Sequence, residues 1–197
     1  MNAAEGFPSG LFAQHRAIEA LLRQLDRVRT RGGLTDDEDL RLLAALRRLL
    51  LPHLAAEEEH LYPLARRCLP GGRALADAAG RTHASIRRLL DRADDHRLSV
   101  SGRRRATTVL LLVLRTHLRG EEEQLFPALR ARARPDELRR CERRLREPRA
   151  GPPGSPGSVG AAGSAGSAVW GLPPGAGAIT ALRDHLTGHD STGQHSP

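Results

Sequence analysis

The sequence predicts an all-α fold: an up-down-up-down four-helix bundle built from two similar helical hairpins, with a short fifth helix and a disordered C-terminal tail. Three observations carry this. Apolar residues recur at three- and four-residue intervals through four long stretches, the period of an amphipathic helix. Aromatics are only 3% of the 197 residues, so the core has to be made from Leu, Val, Ile and Ala, side chains that suit packed helices. Finally, one pattern occurs twice, as His53-Leu54-Ala55-Ala56-Glu57-Glu58-Glu59-His60-Leu61-Tyr62-Pro63 and as His117-Leu118-Arg119-Gly120-Glu121-Glu122-Glu123-Gln124-Leu125-Phe126-Pro127. The echo extends upstream, from Gln14-His15-Arg16-Ala17-Ile18 to Thr82-His83-Ala84-Ser85-Ile86. A period longer than roughly 20 to 50 residues, present in two copies where a solenoid needs about three, argues for a closed bundle.

Helix one runs from Leu11 to about Arg31, with Leu11, His15, Ile18, Leu22 and Leu25 on one stripe, and stops at Gly32-Gly33. Thr35, with Glu38 three residues on, is a capping box that opens a long helix two; this ends near Cys68, before Leu69-Pro70-Gly71-Gly72. Helix three extends from about Arg73 to Asp95 through Leu75, Ala79, His83, Ile86 and Leu90. Helix four extends from about Ser101 to Ala133 through Val109, Leu112, Val113, His117, Glu121 and Leu125. Pro52, Pro63 and Pro127 fall inside helices two and four, where each removes a backbone donor and should bend the helix. The matched prolines 63 and 127 make that bend part of the repeated motif. A short basic helix, Pro135 to Arg146, closes a domain of residues 1–148. Residues 149–197 turn to Gly, Pro, Ser and Ala, a composition that buries too little apolar surface to order itself. Within that tail, Ala178 to Leu186 is at most one or two helical turns able to carry Trp170 or Leu182 to a partner or back onto the bundle.

All 31 basic residues are Arg, which reads as a coding bias, and the net charge of +8 comes without any basic-aromatic motif. Nucleic acid is therefore a poor candidate partner, and the charges solvate the outer helix faces. Cys68 and Cys141 form no C-x-x-C pair, which argues against a disulfide framework or a zinc site and for two reduced thiols. Met1 to Gly10 has no basic segment followed by an apolar run, and no stretch approaches the roughly 18 apolar residues of a membrane span. The expectation is a soluble, cytoplasmic protein without a membrane partner.

The duplicated motif locates the chemistry. In a helix, residues four apart lie one turn above each other on one face, so His53 with Glu57, and His117 with Glu121, each aim a nitrogen and a carboxylate at one point. Such a pairing is suited to a transition metal. His15 lies about 17 residues before the first turn and His53 about 20 after it, level to within a few ångströms at a rise of about 1.5 Å per residue. His83 and His117 are similarly level about the third turn, so four His and two Glu are expected to converge inside the bundle. Glu58, Glu59, Glu122 and Glu123 read as a solvated face. His60 is not expected to ligate, since Gln124 is its counterpart; His96 reads as a helix C-terminal residue, and His185 and His189 as tail. Tyr62 and Phe126, at matched sites, read as packing residues over the site, with a redox role for Tyr62 as the lesser alternative.

Residues of about 10 to 132 resemble the haemerythrin-like, or HHE cation-binding, domain family, four-helix bundles that hold a non-haem di-iron centre. The resemblance implies that His15, His53, His83 and His117 are terminal ligands and that Glu57 and Glu121 bridge two iron ions, an oxo or hydroxo group completing the bridge. Manganese suits the same donors. Oxygen-carrying members have a second His four residues after the helix-three His and an Asp five residues after the helix-four His. Here Arg87 and Glu122 stand in those places, and Glu121 takes the four-residue spacing. One nitrogen donor fewer opens positions where dioxygen, peroxide or nitric oxide can react with iron, and argues against reversible oxygen carriage. The leading expectation is a di-iron protein that binds or reacts with these small molecules. The alternatives are an iron- or redox-sensing interaction protein without turnover, reaching a protein partner through the fifth helix or tail, and an iron store.

Overall fold

A computed structural model of the chain describes residues 7–30 and 36–147, and among these there is no strand. The helices are α1 (Ser9–Thr30), α2 (Asp36–Ala56), α3 (Tyr62–Cys68), α4 (Gly72–Ala93), α5 (Val100–Gly120), α6 (Phe126–Arg132) and α7 (Pro135–Arg146). Short π-helical turns, Glu57–Leu61 and Glu121–Leu125, join α2 to α3 and α5 to α6. Neighbours in the bundle are α1 with α2, α2 with α4, α4 with α5, and α5 with α1, the order of an all-α bundle with sequential antiparallel neighbours. No helix among the described residues is long and apolar enough to cross a membrane.

The apolar stripes build two core layers. One contains Ile18, Leu22, Leu46, Leu50, Leu54, Ile86, Leu90, Leu110, Leu114 and Leu118; the other contains Leu11, Leu61, Tyr62, Leu64, Leu125, Phe126, Leu129, Leu138 and Leu145. In sequence, every buried His and Glu of the duplicated motif falls between residues of the first layer and residues of the second. The bundle therefore holds its polar groups in a plane across its middle, closed by apolar side chains on both sides.

The short helix α7 lies over one end, burying Leu138, Cys141 and Leu145. Its Glu142 accepts hydrogen bonds from the Ser9 hydroxyl at 2.8 Å and the Gly10 amide at 2.9 Å, which supplies an anion to the otherwise uncapped start of α1. At the α3–α4 turn, Gly71 adopts a positive φ of 67°, and a Cβ on Gly72 would stand 2.0 Å from the Ala65 carbonyl oxygen, so the turn takes glycine at both places.

Helix limits agree with the sequence expectation to within two or three residues. The Gly32-Gly33 stop, Thr35 of the capping box, and the tail with Trp170, Leu182, His185 and His189 lie outside the described residues. The prolines behave in two ways. Pro52 lies inside α2, which runs through it. Before Pro63 and Pro127 one residue is added to the turn: Tyr62 N–H donates to the Glu57 carbonyl and Phe126 N–H to the Glu121 carbonyl, five residues back. A proline ring clashes with the carbonyl four residues earlier in a regular α-helix, and widening the preceding turn moves that carbonyl away.

Candidate metal centre

His15 comes from α1, His53 from α2, His83 from α4 and His117 from α5, while Glu57 and Glu121 are the first residues of the two π turns. None of the six is more than 4% exposed. Glu57 lies between the two pairs of imidazoles. Its Oε1 is 3.0 Å from His53 Nε2 and 3.7 Å from His15 Nε2, and its Oε2 is 3.4 Å from His83 Nε2 and 3.6 Å from His117 Nε2. Glu121 presents one oxygen, Oε2, at 3.4 Å from His15 Nε2 and 3.8 Å from His117 Nε2. The His15 and His53 rings meet edge-on at 5.0 Å between centroids and the His83 and His117 rings at 4.9 Å, so the two halves of the repeat give two similar imidazole corners.

The residues thus form two groups able to hold a cation, His15, His53, Glu57 and Glu121 in one, Glu57, His83 and His117 in the other, with the donor atoms of each within 4.8 Å of one another. The hydrogen-bond balance supports this. His15 Nε2, His53 Nε2, both Glu57 oxygens and Glu121 Oε2 are buried without a hydrogen-bond partner. Buried polar atoms without partners are costly, and here they converge on one place. A bound cation would satisfy them together, and imidazole with carboxylate is a donor set for iron or manganese.

The outer nitrogen of three rings is engaged. His15 Nδ1 is 2.8 Å from Glu122 Oε1, His83 Nδ1 is 2.8 Å from Glu58 Oε1, and His53 Nδ1 is 2.8 Å from the Gln14 side-chain oxygen. Each partner is an acceptor, so Nδ1 carries a proton and Nε2 is the nitrogen directed inward, able to give its lone pair to a metal that displaces its proton. This corrects the expectation that Glu58 and Glu122 belong to a solvated face. Both are about a third exposed and each is bonded to a buried His, whereas Glu59 and Glu123, at 56% and 65% exposed, do face water. The reason is the added residue of the π turn, together with a His on the neighbouring helix, neither of which a single helical wheel contains. Glu58 is held from the other side by Arg87, through two bonds of 2.8 and 3.0 Å. Gln14 gives no sequence signal, because its partner lies on another helix; the equivalent Thr82 donates instead to the Ala78 carbonyl.

Charge balance in the metal-free cluster follows the same contacts. Burial works against a charged His15, but Glu121 and Glu57 outweigh it and raise its pKa to about 10. His83 is raised to about 9 for the same reasons, with burial opposed by Glu57 and Glu58. Burial likewise opposes ionisation of Glu57, yet the surrounding imidazoles hold it well below the usual carboxylate range. The His83 hydrogen bond, opposed by partial burial and aided by Arg87, lowers Glu58 to about 2. Without a metal, protons occupy nitrogens that a metal would take.

Tyr62 does more than pack. Its hydroxyl donates to Glu121 Oε1 at 2.7 Å and lies 3.1 Å from His83 Nε2. In a regular helix a residue five beyond Glu57 would be rotated by about 140° from it; the wider π turn brings Tyr62 back to the face of Glu57. Phe126, in the matched place, packs as expected, its ring 5.6 Å from that of His15. His60 lies outside both groups, its ring 3.6 Å from Glu59 and its carbonyl accepting from Cys141 Sγ, and His96 is exposed in the turn after α4. Both cysteines are free, and burial pushes the Cys141 thiol up to about 12.

Comparison with known proteins agrees with this arrangement. Residues 9–129 match the family model described as the Hemerythrin HHE cation binding domain. No curated protein and no solved structure matches the chain.

Proposed function

Because this chain belongs to the hemerythrin HHE cation-binding domain family, we propose that its buried His/Glu cluster holds two iron ions and binds or reacts with dioxygen, peroxide or nitric oxide. In this reading His15, His53, Glu57 and Glu121 hold one ion, His83 and His117 hold the other, and Glu57 is shared. The observation that carries it is the convergence of the partnerless buried nitrogens of His15 and His53 and carboxylate oxygens of Glu57 and Glu121 on one place, beside His83 and His117. A bound pair of redox-active ions supplies electrons and Lewis acidity to a small oxygen- or nitrogen-containing molecule.

The chain's own residues supply the rest. Glu122, Gln14 and Glu58 hold Nδ1 of three of the four imidazoles and so direct their Nε2 atoms inward. The two apolar layers exclude water and favour entry of a small uncharged molecule. Arg87, which engages Glu58, stands where oxygen-carrying members have a further His, so the His83–His117 corner has one nitrogen donor fewer than in those members, which favours reaction over reversible carriage. The test is anaerobic reconstitution with ferrous ion, metal counting, and an absorption spectrum on admitting air, with His53→Ala alongside. Two irons per chain and a near-ultraviolet band lost in the variant are expected. No stoichiometric iron, with an unchanged variant, would overturn the reading.

A sensing role is the second reading, favoured by one contact. Helix α7 packs on the π turn that carries Glu57, and Cys141 of α7 donates to the His60 carbonyl within that turn. Metal occupancy that stiffens the turn would stiffen α7, and metal-dependent protection of α7 from protease would support it.

A further inference from the structure

At one of the matched positions where the two halves of the repeat differ, Tyr62 stands against Phe126, and the two inward carboxylates, Glu57 and Glu121, differ with it. Tyr62 sits against His83, ring centroids 5.3 Å apart, as Phe126 sits against His15 at 5.6 Å. Tyr62 reaches Glu121 of the other half and takes up its Oε1. Phe126, equivalently placed, has no hydroxyl to give, and both oxygens of Glu57 are without a hydrogen-bond partner. Glu57 accordingly turns one oxygen to each imidazole pair, and Glu121 turns only Oε2 inward. The group of His83 and His117 includes Glu57 alone of the two carboxylates, Glu121 reaching that corner only through Oε2 at 3.8 Å from His117 Nε2, and the other group includes both Glu57 and Glu121.

We infer that Tyr62 is a positioning residue that sets the binding mode of Glu121: its hydroxyl keeps one carboxylate oxygen off the metals, and the position so left open, beside His83 and His117, receives the exogenous ligand. This rests on the proposed metal reading and deepens it, since it names the corner where a small ligand binds. The hydroxyl that holds Glu121 also borders the open corner, 3.1 Å from His83 Nε2.

The experiment compares wild type with Tyr62→Phe. Each metal-free protein is titrated anaerobically with ferrous ion by calorimetry, and each loaded, oxidised protein is titrated with azide by absorption. With the hydroxyl gone, Glu121 is free to turn both oxygens inward. The second ferrous equivalent should then bind at least about tenfold more tightly and azide at least about tenfold more weakly, changes of about 1.4 kcal/mol each. Phe126→Tyr, which adds a hydroxyl opposite Glu57, should loosen the metals. Unchanged or opposite affinities in Tyr62→Phe overturn the role of Tyr62, as does a visible phenolate-to-iron band in loaded wild type that disappears in the variant, for the tyrosine oxygen would then itself be a ligand. A crystal structure of loaded wild type reads the same point without a variant: one Glu121 oxygen on metal and the other on Tyr62 is expected, and both on metal overturns it. Wild-type protein that takes up no metal overturns the proposed function itself, a failure distinct from normal loading with an indifferent Tyr62.

Discussion

Each Glu-Glu-Glu run contains three chemically identical side chains in three environments, so alanine substitutions along Glu57, Glu58 and Glu59 should produce a graded series in metal affinity. Glu57 is fully buried and faces all four imidazoles, and Glu57→Ala should abolish loading of both positions. Glu58 touches no inward atom but accepts from His83 Nδ1 at 2.8 Å. Loss of such an outer partner costs about 10- to 100-fold in metal affinity, or about 1.4 to 2.7 kcal/mol. Because Glu58 is 37% exposed, water can replace part of what it provides, and a loss near tenfold is expected, confined to one of the two metals. Glu59 is 56% exposed with a 3.6 Å contact to His60, and Glu59→Ala should change affinity by less than about twofold. The assay is anaerobic ferrous calorimetry, with circular dichroism to show that each variant is folded. Glu58→Ala and Glu59→Ala behaving alike would refute the orienting role of the Nδ1 bond, and Glu58→Ala matching Glu57→Ala would make Glu58 a ligand.

Metal removal should destabilise the bundle: at a free metal concentration of about 100 times Kd the gain is about 2.7 kcal/mol, or about 5 to 10 °C in Tm for a domain of this size, read by a thermal melt with and without chelator. An identical melt would show that the metal does not bind the folded cluster. The metal-free protein should lose stability in alkali. His15 and His83 are raised from 6.5 to about 10 and about 9, so their contribution is complete below about pH 6.5 and is lost as pH rises through 9 to 10. Glu58, lowered from 4.5 to about 2, contributes above about pH 4.5 and is lost as pH falls towards 2. A urea midpoint that rises between pH 7 and 10 would contradict this assignment. Glu142→Ala removes the anion at the start of α1 and should cost about 1 to 3 kcal/mol in chemical denaturation, with faster proteolysis of α7. Leu114→Ala, in the fully buried layer above His117, should cost about 2 to 5 kcal/mol, and a cost below about 1 kcal/mol would argue against the two-layer core.

The sequence by itself determined the helices and which faces they bury, because a 3.6-residue period fixes azimuth within one helix, and the duplication ties one hairpin to the other. His15, His53, His83 and His117, with Glu57 and Glu121, share the stripes of Ile18, Leu54, Ile86 and Leu118, so the closing of the bundle brings them together. The tertiary structure alone decided the surroundings of that cluster. Gln14 on His53, Glu122 on His15, and Arg87 through Glu58 on His83 are contacts between different helices, set by register across the bundle, on which periodicity is silent. The place of Tyr62 was likewise fixed only in three dimensions. One added residue in the turn before Pro63 rotates everything after it, and a side chain read as packing from its match to Phe126 also holds Glu121 at the centre.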